Sequence, residues 1–258
     1  MDIDDLVRKL HELHKKRIGS EIEAYRKENM NEYFVTPDVR VVTNFREEVL
    51  AAYHEFEYPE KYINEIDTNR VSWDTTVALT IQNKVMGDQA KIIISTNKWR
   101  GDTMYHELTH VSDYYSYCER YGYLDMSYLE FIKLEDFQSI YLMSEFRAFY
   151  RCALKDYENL KKRIEFETSI FEKVQRYAIE KQQLETYYYH SIKYIGFLCA
   201  YYEKFLTESE INDLLNACDV NIIHKLFKFM YPLRKKDFQE LEKHYKTLKD
   251  TLSEFISY

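Results

Sequence analysis

Five glycines and three prolines in 258 residues restrict this chain more than any other feature of its sequence. Turns, bulges and helix ends draw on these two residues. A chain so poor in them has few places to reverse, and long helices follow. Ile3, Leu6, Val7, Leu10, Leu13, Ile18, Ile22 and Tyr25 recur at the spacing of one helix face, so a single amphipathic helix is expected over the first 28 residues or so. A second helix is expected after Asn44, where Glu47 completes a capping-box-like pair, running through Val49, Tyr53 and Phe56 to Tyr58-Pro59. Beyond about Arg151 nearly everything reads as helix. Ile164, Ile170, Phe171, Val174, Tyr177, Ala178, Leu184 and Tyr188 make an apolar stripe, Thr207 with Glu210 marks a new start, and a final helix follows Pro232.

Between these helical regions the period changes. Val71, Trp73, Thr75, Val77, Leu79 and Ile81 alternate with Ser72, Asp74, Thr76, Ala78, Thr80 and Gln82, the two-residue repeat of a strand with one buried face. "VMGDQ" supplies a turn, and the β-branched run Ala90 to Thr96 reads as the hairpin partner. The expected class is α+β, predominantly α: a small β hairpin with its following helix, then a long-helix C-terminal region. Composition suggests a division into residues 1–155 and 156–258, with one continuous domain as the alternative.

Composition also excludes several functions. Hydrophobic residues at 45% and aromatic ones at 16% supply a core. The net charge of −8 comes without a basic tract that could follow a phosphate backbone, so no nucleic-acid partner is expected. Cys118, Cys152, Cys199 and Cys218 are widely spaced and read as reduced core thiols. The start, "MDIDDLVRKL", is charged from its second residue, and the apolar stretch Ile192 to Leu206 is broken by Lys193, Glu203 and Lys204. Those readings point to a cytoplasmic protein without a membrane span. The oligomeric state is not written in the sequence.

The dipeptide His-Glu occurs three times, and only one copy has metal-site arithmetic. In "YHELTH", Tyr105 to His110, the histidines stand at i and i+4, one turn apart on one helix face, where both imidazoles can reach one zinc ion. Glu107 at i+1 lies on the adjoining face, within reach of a water on the metal without being a ligand. In "HELH" the second histidine, His14, falls at i+3 from His11 on a lysine-rich amphipathic helix, and in "HEFEY" the i+4 position from His54 is Tyr58. Those two copies read as helix surface. Tyr187 to Tyr189 with His190, and likewise His224 and His244, read as packing.

The order of strand, "NKWRGD" loop and "HELTH" followed by "VSDYY" resembles the zinc helix of thermolysin-type metallopeptidases, the zincins, and the chain is similar to the small gluzincin-like zinc peptidases of bacteria and their phages. The resemblance covers about Ile92 to Arg151. It implies one zinc per chain held by His106 and His110, with Glu107 as general base and proton shuttle for a zinc-bound water that attacks a peptide bond. Metzincins place a glycine and a third histidine where this chain has Asp113 and Ser116. Gluzincins take a glutamate from a later helix, which "MSEFRAFYR" offers as Glu145 with Ala148 three residues on. Asp125 in "GYLDMSY" partly matches the aspzincin signature and is the rival third ligand, while Asp113 would orient a histidine from outside the ligand set. By the same resemblance a protein or peptide substrate would lie along Ala90 to Thr96. Arg147, Tyr150 and Tyr114 lie near the motif in sequence, but in a chain with 25 tyrosines each reads as core more readily than as an oxyanion donor. The alternatives are a non-catalytic helical interaction protein with a structural zinc, and a zinc hydrolase acting on another amide or a nucleotide-derived bond.

Overall fold

A computed structural model describes residues 3–30, 32–181, 183–217, 222–236, 238–241 and 244–253. The class is the expected one, α+β and predominantly α with a small sheet. The chain divides into two compact units, Met1–Ile132 and Lys133–Tyr258.

The first unit holds helices α1 (Ile3–Glu28), α2 (Phe45–Glu55), α3 (Glu60–Glu65), α4 (Thr103–Tyr121) and α5 (Tyr128–Phe131), with strands β1 (Asp38–Val42), β2 (Ala78–Ile81) and β3 (Lys91–Ser95). β2 and β3 form the expected antiparallel hairpin, with Ala78 opposite Ile94 and Ile81 opposite Lys91. β1, which no sequence signal announced, pairs parallel to β3 from Asp38 opposite Lys91 to Val42 opposite Ser95. The order β1-β3-β2 therefore makes β3 the central strand. This corrects the expectation that a substrate could lie along Ala90 to Thr96, because the β3 backbone is committed on both sides and all five of its residues are buried.

The strand expected from Val71 begins only at Ala78. The alternation before it comes from hydroxyl residues that build a turn, in which Thr76 donates to the Ser72 carbonyl at 2.8 Å and Thr75 to the Ser72 hydroxyl at 2.8 Å. Likewise Asn44 makes no side-chain cap at the start of α2. Its amide donates to the Glu47 carboxylate at 3.1 Å instead. His54 is an exposed surface residue of α2 within 3.4 Å of Glu60, as its failed metal arithmetic implied. His14 on α1 meets Trp99 edge-on at 5.5 Å, and the His11 side chain lies outside the described residues.

The sheet buries both faces. On one, Ala78, Ile92 and Ile94 pack with Met104, Tyr105, Leu108 and Val111 of α4 and with Ile22 and Tyr25 of α1. On the other, Ile81 and Ile93 pack with Phe45, Val49, Ala52 and Tyr53 of α2 and Tyr62 and Ile63 of α3. Strand alternation is what sends neighbouring residues to different helices.

The second unit is all helix: α6 (Phe137–Lys155), α7 (Leu160–Lys181), α8 (Leu184–Phe205), α9 (Glu208–Asn216), α10 (Ile222–Met230) and α11 (Tyr245–Ser253), with single 3₁₀ turns between. It begins before α6, not near residue 155, because α6 packs along α8. Thr207 and Glu210 form the full reciprocal capping box at the start of α9. The helix expected after Pro232 comes later, as α11, after two 3₁₀ turns. Glu167, almost wholly buried, accepts from Arg163 on its own helix and from Lys193 on α8, each at 3.0 Å, and so ties α7 to α8.

Gly196 sets the closeness of α6 and α8. A Cβ there would stand 2.9 Å from Phe149 Cβ and 3.0 Å from the Phe146 carbonyl oxygen. Gly196→Ala is expected to destabilise the protein by about 1–3 kcal/mol through overpacking. That outweighs the gain in helix propensity of up to about 1 kcal/mol. Urea denaturation measures it, and a variant as stable as the wild type would show that the two helices can part at no cost.

Tyr187 and Tyr188 are buried, as the packing reading required. His224 Nε2 lies 2.7 Å from the Leu214 carbonyl, and the His244 ring lies 6.0 Å from that of Phe229. Cys118, Cys152 and Cys199 are buried thiols outside any disulfide, and burial pushes Cys118 up to about 12, while Cys218 lies outside the described residues. Among the described residues no helix is long and apolar enough to cross a membrane.

Candidate metal centre

α4 carries the site, and its position is fixed from the side that does not carry it. At about 100° per residue, Tyr105, Leu108 and Ser112 share one face of α4, with Thr109 at its edge, while His106 and His110 lie on the other. The first face meets α1 and the loop after it. Tyr25 is fully buried, its ring lies edge-on to Tyr105 at 5.5 Å, and its hydroxyl donates to Glu32 at 3.1 Å. Ser112 donates to the same Glu32 oxygen at 2.8 Å. At the C-terminus Gly122 adopts φ +70°, the left-handed turn that ends the helix, and Tyr123 N–H closes onto the Cys118 carbonyl at 2.7 Å. α1 thus completes the core beneath the zinc-motif helix.

On the other face the two imidazoles converge. His106 Nε2 and His110 Nε2 are 3.1 Å apart, with the rings nearly perpendicular at 83°. Two nitrogens each 2.0–2.1 Å from one tetrahedral zinc would stand about 3.3 Å apart, so the pair is preset to the spacing of a chelate. His110 is buried, and desolvation lowers its pKa to about 4. It is therefore a neutral imidazole at pH 7, the form that binds metal.

Glu107 is 7% exposed, and burial raises its pKa to about 7. The Thr80 hydroxyl on β2 opposes that rise, donating to Glu107 Oε2 at 2.6 Å. The Thr80 hydroxyl thereby engages one of the two carboxylate oxygens, Oε2. Thr80 is the neighbour of Glu107 that sequence reasoning passed over. It stood on the polar side of the strand alternation, but nothing in that pattern names a partner 27 residues away.

One ligand atom each of His106, His110 and Glu145 lie within 4.8 Å of one another, and among the described residues no other three His, Cys, Asp or Glu side chains do so. Two imidazoles and a carboxylate are a donor set suited to zinc with one position left open. Glu145 is a buried residue of α6, 6% exposed. Asp125 is exposed and outside this group, and Asp113 is fully buried on α4 and also outside it. Of the three oxyanion candidates, Tyr150 is engaged elsewhere, its hydroxyl donating to Glu203 at 2.7 Å. Arg147 is fully buried, with its guanidinium 5.5 Å from the Phe238 ring. The Tyr114 ring lies 6.1 Å from that of His110.

No protein-family model, curated protein or solved structure matches this chain.

Proposed function

We propose that this chain is a metal-dependent hydrolase whose ion is held by His106, His110 and Glu145. More narrowly, the reading is a zinc metallopeptidase, one zinc per chain, that cuts a protein or peptide substrate. The observation that carries it is the preset pair of histidine nitrogens 3.1 Å apart, with a buried carboxylate of pKa about 7 at the next residue. A surface histidine pair needs neither the burial nor the neighbouring base.

When bound, zinc would supply Lewis acidity, acidifying water and polarising the scissile carbonyl. The remaining steps fall to the protein. Glu107 Oε1 takes the proton of the attacking water, its carboxylate held in place through Oε2 by Thr80, and passes that proton to the leaving amide nitrogen. A base with a pKa near the working pH is half ready to accept and, once protonated, half ready to give. The neutral imidazole of His110 stays a ligand throughout. Three buried thiols outside any disulfide fit a reducing compartment, which supports the cytoplasm as the setting.

The test is incubation of the zinc-loaded chain with a proteome-derived peptide library read by mass spectrometry, beside the chain carrying Glu107→Gln. Cleavage by the wild type alone supports the reading, and no cleavage by a fully zinc-loaded wild type sinks it. Thr80→Val is expected to keep the zinc and slow turnover about 10-fold or more, since misplacing a catalytic group by as little as 1 Å costs about 10²-fold. Thr80→Ser, which restores the donor, should recover most of the rate. Equal rates in Thr80→Val and wild type would remove Thr80 from the mechanism.

A further inference from the structure

Gln82 is 6% exposed, yet its side-chain Nε2 is sealed from solvent and meets no hydrogen-bond acceptor among the described residues. Such a buried, unsatisfied donor costs the folded state a desolvation penalty that an apolar side chain would avoid. Its place in the fold connects it to the site. Thr80 pairs with Ile92, whose side chain packs on the α4 face of the sheet, and strand alternation sends Gln82 to that same face about 6.6 Å further along. Ala90, just before β3, lies in the same core cluster.

The direction of that step is fixed at both ends. Before β2, the Asp74 carbonyl accepts from Lys98, which stands just ahead of α4, at 2.6 Å. After Gln82, Gly87 N–H donates to the Leu124 carbonyl at 2.7 Å, just beyond the end of α4. β2 and α4 thus advance together, and 6.6 Å is about four residues of helix. Thr80 meets Glu107, so Gln82, two residues on along the same face, lies further toward the C-terminal end of α4.

We propose that the Gln82 amide is the donor that holds the acyl oxygen of the bound substrate. The inference rests on the peptidase reading and supplies the oxyanion donor for which Arg147, Tyr150 and Tyr114 were weak candidates. Side-chain amides aimed at a developing oxyanion act most strongly where water is excluded. Gln82 stands one residue past β2, and rotation about its three side-chain bonds would turn Nε2 from its sealed position to an arriving carbonyl. Its unpaired state in the free protein is the cost of holding a donor ready for a ligand.

The experiment compares full-length, zinc-loaded wild type with Gln82→Met, and with Gln82→Leu as a second shape lacking the donor. The expected result is unchanged zinc content, a melting temperature about 2–4 °C higher, and turnover of the best-cleaved library peptide lower by about 10²–10³-fold. The rise in melting temperature is the readout that a packing role would not give. Turnover within threefold of wild type in either apolar variant that keeps its zinc overturns the inference, and so does a fall in melting temperature in both. If wild type itself cleaves nothing, the peptidase reading has failed and this inference falls with it. If wild type and variants cleave equally, only this inference falls.

Discussion

Glu107→Gln is expected to bind zinc as the wild type does and to hydrolyse its best substrate about 10²–10⁴-fold more slowly. The glutamine keeps the shape and can still accept from Thr80, whose hydroxyl meets Glu107 Oε2 at 2.6 Å, so the local fold is undisturbed. What it loses is the lone pair that takes a proton. Zinc per chain by mass spectrometry and turnover of one peptide, both on the same preparation, separate the two effects. A variant that still turns over at the wild-type rate would remove Glu107 as the base, whatever its zinc content. A variant that loses zinc would mean that Glu107 belongs to the ligand set and that His106, His110 and Glu145 do not by themselves define the centre.

The second large effect is on the metal. His110→Ala and Glu145→Ala are each expected to weaken zinc binding by more than the 10–100-fold that loss of an outer hydrogen-bond partner costs. Asp125→Ala should leave the affinity unchanged, because Asp125 is exposed and outside the group of three. Competition with a chromogenic chelator reads all of these on one scale. If Asp125→Ala were the variant that lost zinc, the carboxylate would be reassigned and the relation to gluzincins abandoned. If every variant bound alike, the 3.1 Å pair would be a hydrogen bond between two imidazoles. A bound zinc whose spectrum shows four protein ligands and no open position would favour the non-catalytic alternative, a metal that staples the fold.

Much of this arrangement was legible in the sequence, for identifiable physical reasons. A helix with histidines at i and i+4 and an apolar opposite face has a strong local period, so α4 and the face that His106 and His110 share could be read without any tertiary information. The β2–β3 hairpin was similarly local, with a short turn and a dense β-branched run. β1 was not legible. Five residues with Val39 and Val41 alternating against Asp38 and Arg40 make a weak signal, and parallel pairing to a strand about fifty residues later leaves no local trace. The false strand from Val71 arose because serine and threonine satisfy the alternation pattern while serving a turn. Glu145 was reached through family resemblance, since a third ligand from another helix has no fixed spacing from the first two. Thr80 and Gln82 were visible as the polar side of an alternation, but the sequence could not show that both are shielded from solvent or that Thr80 meets α4.

The burial of Tyr25 and Ile22 against α4 bears on how the proposed hydrolase could be held inactive. A zymogen is switched on by cutting away a segment that plugs a finished cleft. α1 cannot be such a segment, because its C-terminal turns supply part of the core on which the zinc-motif helix rests, and clipping it off would collapse the centre it was meant to release. On the proposed hydrolase reading, a cut that released α1 is therefore expected to cost the centre its footing, not to open it.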